Sequence, residues 1–182
     1  HIDACPICMT SMKLKKTNGC SIVSAQRLQH VQVDHYILRD DLPEITGCAA
    51  ILTIACNATS MTMFIPVTTT DAEDAIRAIH DRWYCIFGVP TQIKSDRGSA
   101  FTSDCMTLFR SIMGQKEWYF SAAANAHQHA MVEHKHEILN HVVSVAHIKG
   151  DIRCRKDLEH YAAEATAQQN LYLGEVTPFE KA

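Results

Sequence analysis

The length, composition and charge of the chain limit both its fold and its partners. With 182 residues, of which 47% are hydrophobic, the chain suits one globular domain with a small appendage and is not a disordered segment. A formal net charge of −3 excludes a strongly basic protein that binds DNA through its charge alone. If the partner is nucleic acid, bound metal ions or flanking segments must supply part of the attraction.

The cysteines and the apolar runs indicate a reducing compartment and no membrane partner. The eight cysteines are scattered, and only Cys5 and Cys8 form a close pair. Several others lie in apolar runs, as buried free thiols do, so we expect no disulfide framework. No apolar run approaches the length of a membrane span. The chain begins at His1 rather than Met, so we expect it to be part of a longer protein.

The hydrophobic pattern predicts an α/β domain over residues 30–182, preceded by an appendage over residues 1–29. Three consecutive strands joined by short loops predict an antiparallel meander, with a turn at 40–43 after the first strand. We expect strands at 30–38, 48–56, 61–67, 91–96 and 117–121, and helices at 72–87, 103–113, 131–148 and 155–171. This order predicts a five-stranded mixed sheet with helices on both faces, and it resembles that of ribonuclease-H-like folds.

Three acidic residues on separate elements are candidate ligands of a divalent metal. Asp96 follows the apolar run 89–93, and Gly98 ends the strand, so the carboxylate lies where the backbone turns and opens a site. Asp34 lies inside a strand-like run, and Glu133 begins a long helical stretch. Mg²⁺ and Mn²⁺ prefer oxygen ligands, and carboxylates that converge on one point can hold a pair of such ions. The pattern therefore predicts a metal site for phosphoryl transfer.

The chain resembles the catalytic core of retroviral and retrotransposon integrases of the gypsy-like kind. The segments that carry the resemblance are Val33-Asp34, Phe87-Gly88-Val89-Pro90, Ser95-Asp96-Arg97-Gly98-Ser99-Ala100-Phe101-Thr102-Ser103 and Val132-Glu133. Thr177-Pro178-Phe179-Glu180 resembles the segment that ends this core in retrotransposon integrases. Cys5-Pro6-Ile7-Cys8 is half of a four-ligand zinc site and resembles the end of the His-His-Cys-Cys zinc module that precedes the core.

The resemblance implies a function, cofactors and partners. It implies that Asp34, Asp96 and Glu133 are the catalytic, metal-binding carboxylates of a D-D-E polynucleotidyl transferase. Such an enzyme trims the 3′ ends of a linear retroelement DNA and joins them to target DNA, with two Mg²⁺ or Mn²⁺ ions when DNA is bound. The implied partners are both DNAs and further copies of the chain. The implied location is the nucleus, with a cytoplasmic particle stage, and Zn²⁺ would occupy the complete N-terminal module through Cys5 and Cys8.

Three cations near the carboxylates are predicted to contact DNA phosphates, namely Lys94, Arg97 and Lys135. The histidines at 127, 129, 134 and 136 suggest a zinc site around Glu133. His134 and His136 are two residues apart on a helix and do not share a face, which favours ordinary structural roles.

The loop before Glu133 departs from the family pattern. Where the family has Pro-Gln-x-Asn-Gly, the chain has Ala126-His127-Gln128-His129-Ala130, and Ala130 resists the positive φ that glycine allows. Glu137, one turn after Glu133, stands where a basic residue would be expected. Two alternatives therefore stay open. One is a nuclease that cuts without joining, and the other is a decayed or domesticated, non-catalytic module for DNA binding or oligomerisation.

Overall fold

The computed structural model describes residues 27–120 and 130–171, and the side chains of Ala130, Met131 and Glu133 are outside the description. The strands are β1 (His30–Ile37), β2 (Ala50–Cys56), β3 (Thr62–Val67), β4 (Gln92–Ser95) and β5 (Glu117–Phe120). The helices are α1 (Leu42–Thr46), α2 (Ala72–Ile79), α3 (Cys85–Phe87), α4 (Ser99–Thr102), α5 (Asp104–Ile112), α6 (Ala130–Ile148) and α7 (Arg155–Leu171). One π-helical turn, His80–Tyr84, joins α2 to α3.

The strands form one mixed sheet in the order β3-β2-β1-β4-β5. The first three strands pair antiparallel, which confirms the predicted meander. β4 joins the other side of β1 in parallel, and β5 extends the sheet in parallel beyond it. Parallel pairing requires a crossover, and α2 with its extension supplies the one between β3 and β4. β1 and β4 are therefore the central pair.

One face of the sheet, which we call the packed face, is covered by the helices between β3 and β5. Its buried side chains include Val33, Ile54 and Ile93 from the strands. They pack against Ala75 and Ile79 of α2 and against further buried side chains of the π-helical turn, α4 and α5, namely Trp83, Tyr84, Ala100, Phe101 and Met106. This cluster is mostly hydrocarbon, so its stability comes mainly from the removal of apolar surface from water.

The opposite face, which we call the cleft face, carries α6 and α7. Ile51 and Phe64 from the strands pack there against Leu139 of α6 and Leu158 of α7. Side chains alternate between the faces along a strand, so Asp34 and its cross-strand partner Thr53 belong to the cleft face. α7 also protects the edge strand β3, since the N–H groups of Thr62 and Phe64 donate to side-chain oxygens of α7.

The predicted α/β architecture is confirmed, with three local corrections. The turn predicted at 40–43 is in part a helix, because α1 begins at Leu42. Pro43 lies in the first turn of α1, where a residue needs no partner for its backbone N–H. The helix predicted at 72–87 contains the π-helical turn. The helix predicted at 103–113 is found as α5, and the short helix α4 (Ser99–Thr102) precedes it, which the sequence did not predict. Ser103 separates the two helices and caps α5, because its side chain accepts a hydrogen bond from the N–H of Met106.

In residues 27–120 and 130–171, no helix is long and apolar enough to cross a membrane. The boundary between the predicted appendage and the core, after residue 29, stays a prediction because residues 1–26 lie outside the description.

Candidate active site

Asp34 and Asp96 occupy corresponding positions on the two central strands. In the parallel pairing of β1 and β4, Gln32 is opposite Lys94. The same offset, continued for two residues, brings Asp34 beside Asp96. The hydrogen-bonded pairing ends at Gln32 and Lys94, so the two strands separate at the height of the aspartates. The carboxyl end of a parallel pair is where such sheets open a crevice for a ligand.

A small cleft lies at this separation. Both aspartates line it, together with Gln32, Val33, Lys94, Ser95 and Val132. Val132 is buried and belongs to the first turn of α6, so this helix begins beside the two carboxylates. Glu133 is the next residue of the same helix, and its side chain lies outside the description.

Backbone hydrogen bonds hold both aspartates. Oδ1 of Asp34 accepts from the N–H of His35 at 2.8 Å, and Oδ1 of Asp96 accepts from the N–H of Gly98 at 2.9 Å. The turn after β4 leaves little space, because a Cβ added at Gly98 would lie 3.0 Å from Oδ1 of Asp96. Glycine at this position therefore lets the backbone approach the carboxylate closely.

A second layer of contacts supports the turn from the packed face. The indole N–H of Trp118 donates to Oγ of Ser95 at 2.9 Å, and that hydroxyl donates to the carbonyl of Asp96 at 2.9 Å. The guanidinium of Arg110 lies 5.0 Å from the centre of the Trp118 ring, a cation–π distance. These contacts link the position of Asp96 to β5 and α5.

Two contacts position α6 over the cleft face. The hydroxyl of Tyr36 donates to Oδ1 of Asn140 at 2.6 Å. Oγ1 of Thr53, the cross-strand partner of Asp34, lies 3.0 Å from Nε2 of His136. Position 133 lies about one helical turn before His136 in the same helix.

Burial lowers the pKa values of the basic groups around the cleft. It lowers the pKa of His136 to about 4 and that of Lys135 to about 8. Partial burial lowers the pKa of Lys94 as well. His35, whose ring stacks on Phe101 at 5.1 Å, has a pKa lowered by burial and partly restored by the charge of Asp96. His136 is therefore neutral near pH 7, because desolvation disfavours its charged form.

The predicted DNA-contacting cations have different placements. Lys94 lines the cleft, and Arg97 is exposed beside Asp96. Lys135 is only 3% exposed, so its placement does not suit a contact with DNA phosphates. The position of Lys135 two residues after Glu133 in the sequence could not reveal this burial, because the burial depends on how α6 packs on the sheet.

Other predicted ligands are either elsewhere or outside the description. His134 pairs with Glu137 at 3.3 Å, whereas His136 faces Thr53, so these two histidines do not converge. Cys5, Cys8, His127, His129 and the segment 177–180 lie outside the described residues, as does the loop at 126–129.

A second, larger cavity of about 350 Å³ lies beside β3 and α7. Its lining includes Arg82 and Arg155 but a single carboxylate, Glu159. It does not offer the paired acidic oxygens that a magnesium site requires.

The cleft fits a hard divalent cation. Two carboxylates from adjacent strands face one space, each oriented by a backbone N–H, and carboxylate oxygens are the ligands that Mg²⁺ and Mn²⁺ take.

The sheet order, the helices on both faces and the carboxylates at the central strand ends define a ribonuclease-H-like fold of the integrase-core type. No family model matches the sequence, and no curated protein does. Among solved structures, the chain is similar to the catalytic core domain of BIV integrase, with a TM-score of 0.64 and 16% sequence identity. The match covers 84% of this chain and 91% of that chain. The predicted fold is confirmed, and at this identity the likeness concerns the fold.

Proposed function

We propose that the protein is a divalent-metal-dependent polynucleotidyl transferase that integrates retroelement DNA. The observation that carries this proposal is the arrangement of Asp34 and Asp96 in one cleft at the separation of β1 and β4, with the start of α6 beside them. The integrase-core fold supports the same function, because ligands of open α/β sheets bind at the carboxyl end of a parallel strand pair, where both aspartates lie.

Asp34, Asp96 and Glu133 would hold the metal ions. When bound, these ions would neutralise the charge that develops on the phosphate and activate the attacking hydroxyl. The chain's own groups fix where this happens. The N–H groups of His35 and Gly98 orient the two aspartates, and the docking of α6 through Asn140 and His136 sets the height of position 133.

The proposed reactions are two in-line attacks on phosphodiesters. Water would trim the 3′ end of the element DNA, and the new 3′-OH would then attack the target DNA. Neither step needs a covalent bond to a protein side chain. Arg97 is exposed beside Asp96, so it would contact DNA phosphates near the cleft, and Lys94 would do so from its wall.

The partners follow from the reactions. Concerted joining needs two element ends and one target, so we propose that copies of the chain act as a homo-oligomer on both DNAs. Because the target is host DNA, the proposed place of action is the nucleus, with a cytoplasmic particle stage before it. The net charge of −3 requires that metal ions or flanking segments supply part of the attraction to DNA.

A disintegration assay, the reverse of joining, tests the proposal with Mn²⁺ and with Mg²⁺. We expect metal-dependent joined and cut products from the wild type. Asp96→Asn and Asp34→Asn should lower the rate by about 1,000-fold or more while the melting temperature changes little, since each removes a metal ligand from a partly exposed site. Asp104→Asn, an exposed aspartate in the first turn of α5, is the matched control and should keep full activity. Full activity in Asp96→Asn would contradict the proposal.

One sequence feature favours a non-catalytic module for DNA binding or oligomerisation. The residues at 126–130 lack the Pro, Asn and Gly of the family pattern. A folded wild type that neither binds Mn²⁺ nor turns over would establish this alternative. Products that are cut but never joined would instead establish a nuclease, because joining requires a 3′-OH nucleophile.

A further inference from the structure

The π-helical turn at His80–Tyr84 has a packing cause. The N–H of Cys85 donates to the carbonyl of His80, five residues earlier. In a regular α-helix Tyr84, nine residues after the buried Ala75, would lie about 180° around the axis from it. The wider turn brings Tyr84 back to the packed face, where it is 6% exposed, beside Trp83 at 1%.

The same turn aligns two metal-ligating side chains on the outer surface. Residues five apart in an α-helix are separated by about 140° around the axis, so His80 and Cys85 would not meet. Here Sγ of Cys85 lies 3.7 Å from Nδ1 and 3.8 Å from Nε2 of His80. Oδ1 of Asp81 lies 2.7 Å from Nδ1 of the same histidine.

The three residues present one sulfur, one nitrogen and one oxygen in a small region of the surface. These ligand atoms all lie within 4.8 Å of one another. Within residues 27–120 and 130–171 no other group of three His, Cys, Asp or Glu residues meets this condition. Asp81 and Cys85 are exposed and His80 is partly exposed, so an ion could reach them without unfolding of the helix.

The distances suit a tetrahedral ion. With Zn–S near 2.3 Å and Zn–N near 2.0–2.1 Å, the sulfur and nitrogen of a tetrahedral site are about 3.5 Å apart. The observed 3.7 Å is close to this value. The 2.7 Å contact of Asp81 is a hydrogen bond, and an ion that replaced the shared proton would widen it to about 3.3 Å. The exposed side chain of Asp81 can rotate by that amount.

We propose that His80, Asp81 and Cys85 form a Zn²⁺ site whose fourth position is open to solvent. Thiolate and imidazole ligands select zinc over magnesium, in contrast to the carboxylates of the cleft. The thiol releases its proton to solvent on binding, and the imidazole proton moves from Nδ1 to Nε2. The site belongs to the helix that covers the packed face, and none of its residues lines the cleft. Zinc there would bridge the two ends of the π-helical turn.

Cobalt titration of the full chain tests this site. The parent protein carries Cys5→Ser and Cys8→Ser, which removes the close cysteine pair that could also bind the metal. We expect one Co²⁺ per chain with a thiolate-to-cobalt charge-transfer band and tetrahedral visible bands, and Zn²⁺ should displace it. Cys85→Ser should abolish the charge-transfer band, and His80→Gln should weaken binding by at least about tenfold.

Two controls separate this site from other binding. Cys154 is another exposed cysteine, and its thiol faces the Asp157 carboxylate at 3.4 Å. Cys154→Ser should keep the band, and so should Asp96→Asn, which disables the cleft. The melting temperature without metal should be equal in the parent and in Cys85→Ser, because the thiol is exposed. A band that survives Cys85→Ser, or a parent that shows no such band, overturns the proposal.

Discussion

The two faces of the sheet differ in what they bury. The packed face buries a continuous apolar cluster from the strands, α2, the π-helical turn, α4 and α5. The cleft face has a smaller apolar cluster under α6 and α7, and beside it lie Asp34, Thr53 and Lys94. Two consecutive strand residues, Thr53 and Ile54, therefore belong to different environments although both are at most 1% exposed.

This difference indicates a division of roles between the faces. An apolar face needs only well-packed hydrophobic side chains to be stable, and many combinations of such side chains satisfy this condition. Buried polar groups lower stability unless hydrogen bonds or ion pairs offset the cost of removing them from water. The cleft face holds neutral His136, buried Lys135 and two carboxylates in one region. We interpret the packed face as the scaffold and the cleft face as the reactive surface.

The largest effect on stability should come from the packed face. Ile54→Ala removes a side chain that is 1% exposed and should lower the free energy of unfolding by about 2–5 kcal/mol, because a cavity replaces lost packing. Urea denaturation measures this change. The disintegration rate per folded molecule should stay within about twofold of the wild type, since Ile54 points away from the cleft.

The neighbouring Thr53→Val is the matched variant on the cleft face. It removes the hydroxyl that lies 3.0 Å from His136 and should lower stability by only about 1 kcal/mol. It should nevertheless reduce activity more than Ile54→Ala does, because it loosens α6 above Asp34. The reverse ranking in activity would contradict the division between the faces.

Lys135→Met should stabilise the protein. Burial lowers the pKa of this lysine from 10.5 to about 8, which corresponds to about 3 kcal/mol of unfavourable charge burial at pH 7. Between pH 8 and 10.5 the unfolded state holds more protons than the folded state, so wild-type stability should rise with pH across this window. The variant should lack that rise.

Thermal or urea unfolding of both proteins from pH 7 to pH 10.5 measures the difference, and the shared tyrosines cancel in the comparison. An equal pH dependence in the two proteins would show that Lys135 is solvated. A loss of disintegration activity in a more stable Lys135→Met protein would assign this lysine to the reactive surface.

Gly98→Ala should have the smallest effect on stability and a moderate effect on activity. The new Cβ would lie 3.0 Å from Oδ1 of Asp96, so the carboxylate must shift by a few tenths of an ångström. We expect a roughly tenfold lower disintegration rate, because small displacements of a metal ligand matter, with less than about 1 kcal/mol of lost stability. Ser99→Ala, an exposed change in the same turn, is the control. Equal rates in the two variants would show that this close approach has no catalytic role.

Much of the fold was predictable because its elements are local in origin. The strands at 48–56 and 61–67 are continuous apolar runs, and β2 and β3 form within them. The two long C-terminal helices, predicted at 131–148 and 155–171, are found at 130–148 and 155–171. The hydrophobic periodicity of a strand or helix is a property of the local sequence, so it can be recognised without knowledge of the tertiary fold.

The candidate site was predictable in part. Asp96 was identified from the strand and glycine around it, and the structure places it with Asp34 in one cleft. That the two aspartates share a face follows from the parallel register of β1 and β4, whose residues are about sixty positions apart in the sequence. No local pattern encodes that register, because it arises when the crossover helices pack on the sheet.

Local sequence thus sufficed for the strands, the long helices and the acidic residue at a strand end, since these depend on hydrophobic period and turn chemistry. Tertiary packing alone decided the burial of Lys135 and the neutral state of His136, because both depend on how α6 docks. It also decided the π-helical turn, since the helix widens only to bring Tyr84 onto the packed face. The meeting of His80 and Cys85 is a consequence of that turn, which explains why a regular helical period does not reveal it.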